Sequence, residues 1–191
     1  RDIPQIWEVL EEQGLTVGAI SPMNATHRLR RPAFFVPDPW TKTQISAPRI
    51  LRRLYAALAQ AVNDNAEAKL SADSLLNLLL GPAAYARPNN YVQYAALALG
   101  SRSGSWRKAM FLDVLLCDVF IKEVRRTRPH FGSLFLNAAA HIQHHYMFSA
   151  QPYRGPHRNP DWYLAKGLDP VLEVYDLYDR LIGQVQHAFP N

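Results

Sequence analysis

Residues 141–145 read His-Ile-Gln-His-His, so three of the chain's seven histidines fall within five positions. His141, His144 and His145 are spaced i, i+3, i+4, and on a helix that spacing shares one side. Neutral imidazole is the commonest protein ligand for zinc-like cations and a general acid or base near neutral pH. Asn137 adds an amide oxygen four residues before His141. Ala138, Ala139 and Ala140 lie between them, and such small side chains let an ion or ligand approach the backbone closely. Adjacent side chains diverge, so only one of His144 and His145 joins His141 as a candidate ligand. The other is a candidate for touching substrate or for orienting the first. The competing reading is that some of these rings only hydrogen-bond neighbouring backbone.

A second group follows in the loop at residues 151–161. Arg154, His157 and Arg158 are suited to an anionic substrate, because a guanidinium pairs with phosphate oxygens through two parallel bonds. A solvated loop explains the same residues. Tyr146, Tyr153, Trp162 and Tyr163 are candidates to line a pocket for a sugar or base, against the alternative that they pack. Asn24 and Asp38 end short apolar runs and are weaker candidates for the same crevice, since loop Asn and Asp commonly make turns. The single cysteine, Cys117, lies in an apolar run and reads as core. There is no phosphate-cradling glycine loop, paired-cysteine zinc pattern or G-x-S-x-G elbow.

The elements that must position these residues alternate between helix and strand. Residues 3–13 have the helical pattern, with Pro4 suited to the first turn and Gly14 to the stop. Residues 15–20 and 34–36 read as short buried strands. Residues 48–63, 75–80, 91–99 and 106–126 read as helices, the second stopped by Gly81-Pro82 and the last ending before Pro129. Residues 134–136 read as a buried strand running into the histidine cluster. A final helix spans residues 171–186, with Asp169 as N-cap and Pro170 at the first position. Its expected buried face is Val174, Leu177, Tyr178, Leu181, Ile182 and Val185. The pattern gives an α/β chain in which residues 1–45 and 129–191 form the core fragment and residues 46–128 a helical insertion.

The bulk properties agree with a packed domain. The chain has 191 residues, 48% hydrophobic and 19% charged, with a net charge of +5. That composition buries a proper core and is far from disorder. The positive charge is clustered at Arg28, Arg30, Arg31, at Arg49, Arg52, Arg53, and at Arg125, Arg126, Arg128, each either a solvated face or a site for phosphate or sulfate. One cysteine excludes an internal disulfide. No apolar run is long enough to span a bilayer, and the compartment stays open.

Three stretches resemble the alkaline phosphatase superfamily, in its type I phosphodiesterase/nucleotide pyrophosphatase-like branch. Residues 6–18, Ile-Trp-Glu-Val-Leu-Glu-Glu-Gln-Gly-Leu-Thr-Val-Gly, resemble the helix and strand after that family's nucleophile. Asn137-Ala138-Ala139-Ala140-His141 matches its Asp-x-x-x-His, in which both residues bind one of two metal ions. Tyr178-Asp179-Arg180-Leu181-Ile182-Gly183 resembles its Tyr-Asp-x-x-x-Gly helix. The resemblance implies a three-layer sandwich around a mostly parallel sheet, with residues 46–128 as a variable cap over the substrate. It implies divalent metal ions, zinc first among them, in a two-metal site completed outside this chain. His141 would then be a metal ligand, with Asn137 where the family has aspartate. A neutral amide is the weaker ligand, so this ion would bind less tightly, differ in kind or be absent. The Ser/Thr nucleophile and first Asp would precede Arg1, and a later Asp-His pair and final His would follow Asn191. No catalytic residue is then expected within the chain, and this piece alone would be inactive.

The reading that follows is an interior fragment of a metal-dependent hydrolase of phosphate or sulfate esters, foremost a phosphodiesterase. Its substrate would be an anionic small-molecule or glycan-linked ester met by His144, His145, Arg154 and His157. A sulfatase or phosphate-transferring relative is a variant of the same class. The alternative is a non-catalytic helical module that binds an acidic partner or nucleic acid through the arginine clusters. No helix-turn-helix or interleaved basic and aromatic pattern supports a nucleic-acid partner.

Overall fold

The computed structural model describes residues 3–63 and 72–190. The helices are α1 (Ile6–Glu12), α2 (Arg49–Asn63), α3 (Ala72–Tyr85), α4 (Tyr91–Gly100), α5 (Arg107–Thr127), α6 (Ala138–Tyr146) and α7 (Pro170–Ala188). The strands are β1 (Val17–Ile20), β2 (Phe34–Val36) and β3 (Phe131–Leu134). They form one parallel sheet in the order β2-β1-β3. The protein is therefore a mixed α/β chain that contains a small parallel sheet. No helix among the described residues is long and apolar enough to cross a membrane.

The chain divides into two compact units. The first is Arg1–Arg87 with Asp118–Phe135, and the second is Pro88–Cys117 with Leu136–Asn191. The first holds the sheet. β1 is buried at all four positions and β2 at all three, as expected of parallel strands covered on both faces. Val17, Ala19, Ala25, Leu29 and Phe35 form a core cluster, and Trp7 and Leu10 of α1 pack against it. Gly18 lies in the middle strand, where a Cβ would run into the ring of Phe34, itself fully buried. Any larger residue at position 18 must displace that ring. Gly14, at φ +80°, ends α1 in the left-handed region that glycine adopts freely.

Acidic side chains in this unit's part of α5 are buried with partners. Asp118 pairs with Arg87 at 2.7 Å, and Glu123 with Arg126 at 2.6 Å. Tyr85 donates its hydroxyl to Glu123 at 3.3 Å. These bonds satisfy charges that would otherwise be costly to remove from water.

In the second unit, α6 packs on α7. Ala138 and Ile142 are buried on α6, and Val171, Val174, Leu177 and Leu181 on α7. Asp169 caps α7 as its sequence predicts, with its carboxylate accepting from Leu172 N–H at 3.0 Å. Pro170 is the first helical residue.

Several local expectations are corrected. The third strand is Phe131–Leu134 rather than residues 134–136, and it is only partly buried, unlike β2 at the opposite edge of the sheet. The apolar run that suggested a core strand at 134–136 instead leads out of the sheet into α6. The first helix starts at Ile6, not residue 3. Pro4 therefore precedes it, and Gln5 closes a capping box with Glu8. α3 does not stop at Gly81-Pro82 but continues to Tyr85 with Pro82 inside it. An interior proline costs about 3 kcal/mol, and packing of α3 on α2 outweighs it. Gly81 permits that packing, since a Cβ there would collide with Leu54. The sequence also offers Ser71 as one of several N-caps for the helix expected at 75–80, and that residue lies outside the described ones. Ile182, expected on the buried face of α7, is 56% exposed.

Gly18→Ala tests the packing of the central strand. The substitution should destabilise the protein by roughly 1–3 kcal/mol through overpacking. Adding Phe34→Leu should recover part of that loss in thermal denaturation. No recovery would show that the cost does not come from the Phe34 ring.

Candidate functional site

α6 carries the histidines, and its N-terminus is held unusually firmly. Asn137 is its N-cap, but the Asn137 side chain makes no capping bond. A helix start leaves several N–H groups without helical partners. Here Asp113 of α5 accepts from Ala138 N–H at 2.8 Å and from Asn137 N–H at 3.4 Å. Tyr178 of α7 donates its hydroxyl to Asp113 at 2.6 Å and accepts from Ala139 N–H at 3.1 Å. Three successive amides of the Asn137-to-His141 segment are thus satisfied by two side chains from two other helices. His141 N–H then bonds Asn137 C=O at 3.0 Å and begins the regular helix.

The electrostatics follow from burial. Asp113 is 2% exposed. Desolvation raises its pKa from the ordinary 3.8 to about 6, against the opposing pull of Tyr178, Ala138 and Asn137. Burial also pushes Tyr178 up, and the neighbouring Asp113 carboxylate pushes it further. Tyr178 is therefore a phenol that donates to Asp113 at all ordinary pH values.

His141 and His145 stand one turn apart on α6 with ring centroids 4.9 Å apart at 65°. Both residues are exposed. Of the adjacent pair, His145 is the one whose ring contacts His141, while His144 is exposed and outside this ring pair. The pKa of His141 is lowered, first by partial desolvation against the helix, then by repulsion from His145 and His144. It is a neutral imidazole at pH 7. His145 also leans on Tyr146, with centroids 6.2 Å apart. Tyr146 contacts buried Trp106 at 5.2 Å and Tyr163 at 5.7 Å, and Tyr163 contacts Trp162 at 6.0 Å. Three of the four expected pocket aromatics, Tyr146, Tyr163 and Trp162, thus form a run of neighbouring rings that ends at Trp162, 82% exposed, while Tyr153 lies against Phe148 instead.

The loop candidates find other partners. Arg154 donates to the carbonyls of Gln151 at 2.5 Å and Tyr153 at 3.3 Å. His157 rests on Phe148 at 5.6 Å, and Arg158 stacks over Tyr153 at 5.0 Å. All three are exposed. In the other unit, Asn24 and Asp38 do come together, because Asp38 accepts from Asn24 N–H at 2.8 Å. Asp38 also accepts from Trp40 N–H, Thr41 N–H and Thr41 Oγ1. Four donors use the capacity of a carboxylate, so Asp38 is a turn organiser and not a ligand. The first two arginine clusters are exposed, and Arg30 and Arg31 present their backbone N–H groups to Glu11.

Among the described residues, no group of three His, Cys, Asp or Glu gathers to hold a metal ion. Asn137 and His141 offer an amide oxygen and an imidazole nitrogen, donor types that a divalent cation accepts. Asp113 and the Trp106–Arg107–Glu173 contact are the residues that sequence reasoning missed. Arg107 Nη2 meets Glu173 at 2.5 Å, Arg107 Nε at 3.0 Å, and Trp106 Nε1 donates to the same carboxylate at 2.9 Å. A lone acid on the apolar stripe of α5, beside Met110, Val114 and Cys117, was the available signal for Asp113.

The raised pKa of Asp113 fixes the sign of its effect on stability. Below about pH 4 the carboxyl is protonated whether the chain is folded or unfolded. From pH 4 to 6 the folded state keeps a proton that the unfolded state releases, so rising pH costs the folded state more. Above pH 6 that cost is complete, at roughly 3 kcal/mol. Asp113→Asn keeps an acceptor and removes the charge. In denaturant titrations its stability relative to wild type should rise by a few kcal/mol between pH 4 and 7.5. Parallel pH profiles for the two proteins would show Asp113 to be ionised throughout. Compared with family models, curated proteins and solved structures, the chain matches none of them.

Proposed function

We propose that this chain is an interior part of a metal-dependent hydrolase of phosphate esters, related to the phosphodiesterase/nucleotide pyrophosphatase-like branch of the alkaline phosphatase superfamily. One observation carries the reading. Two of the sequence stretches that resemble this family, about forty residues apart, touch through Tyr178 and Ala139 at 3.1 Å. A resemblance assembled from accidental short matches gives no reason for such contact. The parallel sheet, with β3 entering α6 through three residues, is also what the reading requires. In this proposal the sheet belongs to a larger three-layer sandwich, and residues 46–128 form a cap over the substrate.

Asn137 and His141 would hold one divalent cation, with zinc favoured by the imidazole donor. Such an ion, when bound, polarises a phosphoryl oxygen and stabilises developing charge. The chain's own residues do the positioning. Asp113 and Tyr178 hold the start of α6, so Asn137 and His141 keep a fixed spacing. His144, His145, Arg154 and His157 would meet an anionic phosphate or sulfate ester, small or glycan-linked, with a phosphodiester as the best-supported substrate. The Ser/Thr nucleophile and the remaining ligands would come from outside this chain.

The test is His141→Ala in the full-length protein, assayed on bis(p-nitrophenyl) phosphate with metal content measured in parallel. Activity should fall about a hundredfold or more, with loss of bound metal. Unchanged activity and metal content would sink the proposal.

A further inference from the structure

We propose that His141 and His145 together form a transition-metal chelate on the exposed side of α6, a site that does not need Asn137. The inference does not rest on the phosphoesterase reading: it gives His141 a different co-ligand, so the two assignments are alternatives at that ring and the titration below separates them. Residues four apart on a helix have neighbouring side chains, and here the two rings already touch, with centroids 4.9 Å apart. Both residues are exposed, so a cation reaches them from solvent. Among the described residues, neither imidazole makes a hydrogen bond that ligation would have to break. His144, one residue earlier, is turned about 100° around the helix and lies outside the pair.

The surroundings favour ligation over mere exposure. The pair stands on a helix whose first amides are fixed by Asp113 and Tyr178, so one imidazole is carried at a set height above the other. His145 is further braced by Tyr146, which is itself wedged between Trp106 and Tyr163. Ordering the ligands in advance reduces the entropy lost on binding.

The donor type selects the ion. Two imidazole nitrogens suit Zn²⁺, Ni²⁺ and Cu²⁺, whereas Mg²⁺ and Ca²⁺ favour oxygen donors. Two protein ligands leave coordination positions for water or an anionic ligand oxygen. Protons compete for the same nitrogens, so affinity should fall as pH is lowered.

The experiment is calorimetric titration of metal-stripped full-length protein with ZnCl₂ and, separately, NiCl₂ and MgCl₂ at pH 7.5. Zn²⁺ and Ni²⁺ should bind, and His141→Ala or His145→Ala should each weaken that binding by about tenfold or more. His144→Ala and Asn137→Ala should change it by less than about threefold. MgCl₂ should give no binding that depends on His145. The three histidine variants are surface changes and Asn137 is the half-buried N-cap, so circular dichroism checks that α6 is intact. If the fold is lost in one, the matching glutamine variant replaces it. Wild-type affinity in His145→Ala, or no Zn²⁺ or Ni²⁺ binding at all, overturns the proposal. Loss in Asn137→Ala with none in His145→Ala also overturns it and leaves the phosphoesterase reading standing. Tenfold loss in both histidine variants, without any phosphodiesterase activity in the wild type, supports the chelate and defeats the other reading.

Discussion

A buried carboxylate facing the open end of a helix is the interaction on which the second unit depends. Asp113 takes two amides of the α6 start and the phenol of Tyr178, and Tyr178 takes the next amide. An acid buried this deeply is costly to ionise, as its raised pKa records. The arrangement is stable because each polar atom of the cluster has a partner, and removing one partner leaves the others stranded in an apolar setting. The same three bonding groups join α5, α6 and α7. Position along α6 is therefore set by hydrogen bonds of fixed length, and apolar packing of Ile142 and Ala138 fills the space around them.

The first unit is organised differently. Its sheet is short, and the middle strand is the one that excludes water most completely. With glycine at position 18, the Phe34 ring occupies the space a side chain there would need, and the core cluster around Phe35 closes against α1. The acids there are neutralised pairwise by Arg87 and Arg126. Two solutions to one problem thus occur along a single helix. The N-terminal half of α5 satisfies its buried acid with helix amides and a phenol, and the C-terminal half uses guanidinium groups.

Much of this was legible in the residues. Apolar runs located β1 and β2, because fully buried parallel strands have few polar positions. Asp169-Pro170 announced α7, since cap and first-turn chemistry is local. The histidine spacing announced a shared helix side. What local pattern did not reveal was long-range. The strand before α6 was placed three residues too late, because an edge strand with Gly132 and Ser133 has a weak apolar signal. Pro82 looked like a stop, and only the fit of Gly81 against Leu54 explains why α3 runs through it. Asp38 looked like a crevice residue until its four donors were seen. Asp113 was hidden in plain apolar surroundings, since its partners lie 24 to 65 residues away in the chain.

The grip of Arg107 and Trp106 on Glu173 has one more consequence. Glu173 and Tyr178 lie five residues apart on α7, roughly 7.5 Å along its axis. One is locked by a two-pronged ion pair and an indole, the other by a phenolic bond to Asp113. A rod fastened at two points along its length can neither slide nor turn like a screw without releasing both. α7 therefore serves its unit as a rail fixed to α5, and any sliding of the one helix along the other must begin by tearing those fastenings loose.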